Sequence, residues 1–241
     1  MVDAFCHVPS SQWSAAVSAC NAIGGENGSV TVHFTAAGLA LNADRDTNAI
    51  SVRFSGESGT GRTRRAVRIA DLVADGSAPV EVAVDDEGRL SVRGVTIDGW
   101  KTAQASSSAP KVRPSTNLTI NVSPTDLQTL LTAVSSASLS KRQELDGKLL
   151  LAVRDAGHDG TAVLTASAAG MFAAATSTVN GELISHRRSD TFRDVWLHGP
   201  ALLAASAALD AKAPSWQLGI ATTATHHRVT LRDGSVDITV T

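Results

Sequence analysis

A chain of 241 residues is long enough for one large domain or two of ordinary size, each burying a real core. Apolar residues make up 43% and charged residues 18%, a folded rather than a disordered composition, and no run of about eighteen apolar residues is present to span a membrane. The formal charge of −2 gives no overall attraction to a polyanion, so any nucleic-acid contact must come from local basic clusters.

The N-terminus, MVDAFCHVPSSQW, has no basic segment leading into an apolar run, which points to a cytoplasmic location. Residues 4–8 (AFCHV) read as a strand. In residues 9–25, Trp13, Ala16, Val17, Cys20 and Ile23 fall at helical spacing, Ser10 or Ser11 can cap, and Gly24 can end the helix. Cys6 and Cys20 stand in unlike contexts with no C-x-x-C, so buried free thiols are expected, without a disulfide, metal site or cofactor. Three β-type runs follow, VTVHF, GLALNAD and AISVRF, then RAVRIADLVADG, a strand entering a short apolar helix. VEVAVDDEGRLSVRG reads as a hairpin that turns at Asp86, Glu87 and Gly88.

Residues 100–117, WKTAQASSSAPKVRPSTN, are polar, Ser-rich and carry two prolines, the composition of a linker. Beyond them the same order of elements begins again. LTINV is a strand, and SPTDLQTLLTAVSSAS is a helix with Ser123 as cap, Pro124 in its first turn and Leu127, Leu130, Leu131 and Val134 on its apolar stripe. KLLLAVRD, TAVLTAS and MFAAATSTV answer the three strands of the first half. VNGELISHRRSDTF is a loop, FRDVWLHGPALLAASAALD the second strand and helix, and WQLGIATTATHHRVTLRDGSVDITV the closing hairpin. The order β-α-β-β-β-β-α-β-β thus occurs twice, giving domains over 1–100 and 117–241 with a linker over 101–116.

The repeat decides how the glycine run SGESGTGRTRR (55–65) is read. Gly56, Gly61, Arg62 and Thr63 match a phosphate-binding loop except for its lysine, so a nucleotide-binding protein using residues 56–63 is a minor alternative. Such a loop needs a parallel strand before it and a helix after it, whereas here it joins two strands of an antiparallel series. A planar guanidinium is also a poor substitute for the compact ammonium. An enzyme is not expected. His226 and His227 are adjacent on a strand and point to opposite faces, His158 sits in a turn, and His186 lies beside Arg187 and Arg188 without a nucleophile in one local signature.

The doubled order resembles the domain of DNA sliding clamps, the bacterial β-clamp type in particular. LTINVSPTDLQTLLTAVSSASLSKRQELDGKLLLAV resembles the opening of a clamp domain, LALNADRDTNAI resembles its Ala-Thr-Asp strand ending at Ala43 and Asp44, and DTFRDVWLHGPALLAASAAL resembles its second half. Two departures stand out: Ala166 and Ser167 occupy the place of that ending in the second half, and two domains stand where bacterial clamps have three. The resemblance implies an α+β fold of two tandem clamp-like domains, antiparallel sheets outside and two helices each on the inner face. It implies a non-enzymatic processivity factor, closed as a homotrimer around duplex DNA, that docks peptides of DNA polymerase and clamp loader. The alternative is a clamp-like decoy or regulator that does not encircle DNA.

Loose contact with phosphates calls for Lys and Arg along the inner wall, and here they cluster at the ends of elements instead. The expected DNA contacts are Lys141 and Arg142 after the first helix of the second domain, Arg62, Arg64 and Arg65 before the second helix of the first, and Arg187, Arg188 and Arg193 before that of the second. By position in the clamp family, a partner-peptide pocket falls at Ile50, Trp100 and Val240.

Overall fold

The structure, a computed structural model, describes residues 2–25, 28–35, 38–56, 63–74, 76–101, 116–138, 148–155, 160–169, 174–186, 194–222 and 227–241. Strand β1 (Val2–Val8) stops at Pro9, which has no N–H for the ladder, and helix α1 (Ser10–Gly24) begins directly after it. Its expected stripe, Trp13, Ala16, Val17, Cys20 and Ile23, is buried, and Gly25 ends the helix with a φ of 74°. Ser10 does not cap; its hydroxyl donates to the Gly76 carbonyl at 2.6 Å.

Strands β2 (Ser29–Thr35), β3 (Gly38–Arg45) and β4 (Asn48–Phe54) form the expected antiparallel meander, and β5 (Thr63–Arg68) returns along β2. The glycine run therefore leads from one antiparallel strand into another, and no helix starts at Thr63. Residues 57–62 lie outside the described residues, and the strand-to-strand frame around them is not the strand-to-helix frame that a phosphate loop needs. After β5 comes a single 3₁₀ turn, Ile69–Leu72, where a short helix was expected. Four residues cannot offset the cost of nucleating an α-helix, and the Leu72 carbonyl accepts instead from the buried Trp13 indole at 2.8 Å.

The first half closes with β6 (Val80–Asp85), β7 (Leu90–Val92) and β8 (Val95–Ile97). The third of these strands was not foreseen. It exists because Arg93 and Gly94 both take positive φ, 51° and 75°, the pair needed for a two-residue hairpin turn. Strand β9 (Trp100–Lys101) then pairs with the edge of β5.

In the second half β10 (Thr116–Val122) leads to α2 (Pro124–Ser138), where Ser123 Oγ accepts from the Asp126 amide at 3.4 Å as the cap pattern predicts. Strands β11 (Lys148–Asp155), β12 (Thr161–Ala169) and β13 (Ala174–His186) follow. β13 continues through residues expected to form a loop, turning from β12 onto β10. Gly181 permits this, since a Cβ there would lie 2.8 Å from the Asn121 carbonyl. β14 (Val195–His198), α3 (Gly199–Ser206), β15 (Trp216–Thr222), β16 (His227–Arg232) and β17 (Val236–Val240) complete the chain.

Two sheets result, β1-β6-β7-β8 and a continuous β14-β11-β12-β13-β10-β15-β16-β17-β4-β3-β2-β5-β9. The long sheet joins the halves where β17 runs antiparallel to β4, with Val236 opposite Phe54, Ile238 opposite Val52 and Val240 opposite Ile50. All six are buried. α1 and α2 each pack on the sheet of their own half and against α3, so the core is one continuous layer between helices and strands. No described helix is long and apolar enough to cross a membrane.

Replacing Trp13 with Phe leaves the Leu72 carbonyl buried without its donor, and urea denaturation is expected to show a loss of about 1–3 kcal/mol. Trp13→Ala adds a cavity and should cost about 3–5 kcal/mol. A second prediction concerns pH. His198 caps α3 by accepting from the Ala201 amide at 3.2 Å, and burial pushes its pKa below the ordinary 6.5. The unfolded chain takes up this proton near 6.5 and the folded one only at lower pH, so stability falls as pH drops through 6.5 until the folded imidazole also titrates. His198→Asn keeps a cap acceptor without titrating, and melting curves between pH 7 and 5 should be flatter for it than for the parent.

Candidate nucleic-acid and partner interface

The described helices carry no cation. α1, the 3₁₀ turn, α2 and α3 contain neither Lys nor Arg. Their exposed positions are Ser11, Ser14, Ser18 and Asn21 on α1, Ala70 in the 3₁₀ turn, and Thr125, Asp126, Thr129, Thr132 and Ala133 on α2. A surface of mostly small hydroxyls with one carboxylate, Asp126, can lie against a polyanion but supplies little attraction to it.

Of the expected DNA contacts, Arg64 and Arg65 are described, and they part company. Arg65 points toward the first sheet, its Nε donating to the Gly88 carbonyl at 2.8 Å. Arg64 faces the other way, opposite His33 on the sheet surface turned from the helices. Lys141, Arg142, Arg62, Arg187, Arg188 and Arg193 lie outside the described residues.

Ile50 and Val240 are cross-strand partners at the β4–β17 junction, 2% and 0% exposed. Trp100 pairs with Ala66 at the far edge of the sheet, so the structure unites the first two and leaves the third apart. Around the junction lie two cavities. One of about 370 Å³ has Ile50, Ser51, Thr239 and Thr241 in its wall, and one of about 480 Å³ runs from Asp44 and Ala49 to Lys148 and Trp196. Trp196 is 56% exposed although it sits on a strand.

Over the first cavity the sheet is cationic. His33 and Arg64 line it, Arg53 stands two strands beyond His33 on the same row, across Ala40 of β3, and Arg228 closes the opposite side. Burial, then Arg64 and Arg53, hold the His33 pKa below its ordinary value, so the imidazole is neutral at pH 7.

The repeat exposes a second feature, which sequence reasoning missed. Superposing the registers of the two halves makes β8 the counterpart of β17 and β13 the counterpart of β4. Val95 then corresponds to Ile238, and Ser177 to Val52. Within the chain β17 and β4 are joined, but no described strand pairs with the outer edge of β8 or with β13 along Ala174–Gly181. The consequence is visible in burial: Ile238 is 0% exposed and Val95 is 68% exposed. An isolated VTI run beside a turn is too short a pattern to have betrayed an edge strand.

No family model matches the chain, and no curated protein matches it in sequence. Solved structures do match in fold. A putative DNA polymerase III beta subunit from Eubacterium rectale superposes with a TM-score of 0.60 at 12% identity, over 98% of this chain and 63% of that one. A. fulgidus PCNA, solved with the C-terminal region of FEN-1 bound, gives 0.59 at 14% identity over 100% of this chain and 96% of that one. The PCNA2–PCNA3 complex from Sulfolobus tokodaii gives 0.59 at 12% identity over 98% and 97%. The chain thus spans about 63% of the Eubacterium rectale subunit and nearly the whole of the PCNA chains. These likenesses, with the doubled strand-helix order and the helices layered on one continuous sheet, give the chain the fold of the DNA sliding clamps.

Proposed function

We propose that the protein is a non-enzymatic sliding clamp whose copies join head to tail, β8 of one along β13 of the next, to enclose duplex DNA. The observation that carries this is Val95, exposed at 68% in the position where its counterpart Ile238 is sealed by β4. Carrying the junction register across places Val95 opposite Ser177 of a second copy and Ile97 opposite Ala175. Strand addition satisfies the free backbone groups of both edges and covers the apolar side chain at once. With two domains in each protomer, three copies supply six, and a homotrimer is the assembly we favour.

In this ring the helices face the hole. Their lack of cations leaves phosphate contact to the segments between elements that carry Lys141, Arg142, Arg62, Arg187, Arg188 and Arg193, an arrangement suited to loose, sequence-independent contact. The cavities beside Ile50 and Val240 are the proposed docking place for peptides of a polymerase or loader, in keeping with the FEN-1 segment bound to A. fulgidus PCNA. Trp196 offers such a peptide an apolar anchor. The cation-free helices also favour a second reading, a clamp-shaped regulator that does not hold DNA.

Light scattering behind size exclusion, from low to high micromolar, is expected to give the mass of three protomers. Val95→Lys puts a charge into the proposed seam without touching the core, and should weaken assembly about tenfold or more, about 1.4 kcal/mol per contact. The parent protein, and not this variant, should remain on nicked circular DNA and leave it on linearisation. A monomer at every concentration rejects the self-closing ring, and a trimer that DNA does not retain selects the regulator.

A further inference from the structure

The sheet face turned away from the helices carries a polar trough that crosses the junction between the two halves. Its floor is one row of cross-strand neighbours: Thr31 beside Asn42, Asn42 beside Ser51, Ser51 beside Thr239, and Thr239 beside Thr230. These are short hydroxyl and amide side chains, and beyond Thr230 the row passes through Gly219, which has none, to Thr119. The neighbouring row on one side runs Arg64, His33, Ala40, Arg53, Asp237 and Arg232, and Arg228 rises on the other side next to Thr241. Long side chains flanking a row of short ones make the groove, and the cavity of about 370 Å³ lies along it.

The charge of this trough is not self-compensated. Arg53, Arg64 and Arg228 make no ion pair with any described residue. Two carboxylates are present: Asp237 is engaged by Arg232 at 3.2 Å, and Asp44 lines the cavity. Strands lie about 4.8 Å apart, so a floor of five strands is about 19 Å long, the reach of about six extended residues. Alternate side chains of an extended chain point to opposite sides, and a segment lying along the floor can therefore send carboxylates to both walls while its backbone meets the hydroxyls.

We propose that this trough binds an acidic peptide segment of a partner protein. The floor residues include no aromatic ring on which bases could stack, and Asp44 opposes a continuous line of phosphates, so a peptide with spaced carboxylates suits the surface better than single-stranded nucleic acid. Exposed pairs of this kind bind modestly and are screened by salt, which suits a contact that must be released.

The test is fluorescence anisotropy at low ionic strength with a fluorescein-labelled peptide of about eight residues alternating Glu and Thr. The same peptide with Gln for Glu and an oligo-dT of equal length serve as the other probes. The acidic peptide is expected to bind and the Gln peptide not. Arg53→Glu with Arg64→Glu should weaken binding about tenfold, while Arg89→Glu with Lys212→Glu, an equal change of net charge elsewhere, should leave it unchanged. Circular dichroism verifies that both doubles are folded. Equal loss in the two doubles, no binding of the acidic peptide, or tighter binding of the oligo-dT through the same arginines overturns the proposal. The trough lies within one protomer, so the measurement is repeated on Val95→Lys and stands apart from ring closure.

Discussion

The molecule depends on the pairing of its last strand with its fourth. β17 reaches back across the whole chain to β4, and this single ladder turns two sheets into one. The main-chain bonds continue past the strand ends, with the amides of Ala49 and Thr241 donating to each other's carbonyls at 3.2 and 3.0 Å and Ser55 donating to Ser235 at 2.8 Å. A buried edge strand must pair or lose its backbone hydrogen bonds, so the junction is as obligatory as any ladder inside a domain. The apolar residues it seals belong to the same core as the helices. The two cavities and the arginine-walled trough exist only because two halves meet there.

Each half uses an indole to fasten its least regular segment. Trp13 donates to Leu72 at the end of the 3₁₀ turn, and Trp216 donates to the Asp210 carbonyl at 2.9 Å in the segment that leaves α3. Both rings are fully buried, so each combines a large apolar area with one satisfied donor. The same chain turn is held again by Asp233. Burial alone would raise the pKa of this carboxyl, but the amides of Asp210, Val236 and Ser235 and the Ser235 hydroxyl outweigh it and hold the pKa low. Irregular chain between repeats is thus tied down by specific polar bonds rather than by packing of a periodic face.

Much of this architecture was legible in the sequence because it is local and doubled. The stripes of α1 and α2 are buried where helical spacing puts them, and the Ser123 cap is made. Alternation in VTVHF, AISVRF and HRVTLR also fixes which residues share the outer face, since period two survives any topology. What alternation cannot say is which strands are neighbours. Arg53 and His33 belong to one row only once β3 lies between β2 and β4, and Thr239 joins the floor only once β17 lies beside β4. The short elements failed for another reason. β8 depends on two positive φ angles at Arg93 and Gly94, and non-glycine residues rarely announce such a turn. The 3₁₀ turn was read as a helix because IADLV has helical spacing without the length that stabilises a helix.

The repeat also explains why the two ends of the protomer differ. The edge of β5 is paired by β9, whereas its counterpart β14 ends its sheet among the described residues and bears Trp196 in the place of Ala66. One half thus covers this edge with a following strand, and the other carries an aromatic at the edge position and leaves it half in solvent. A duplicated domain under selection for stability alone would close both edges in the same way. Unequal edges, at β14 beside the junction and at β8 and β13 where copies would meet in the proposed ring, are what such a ring requires of duplicated units.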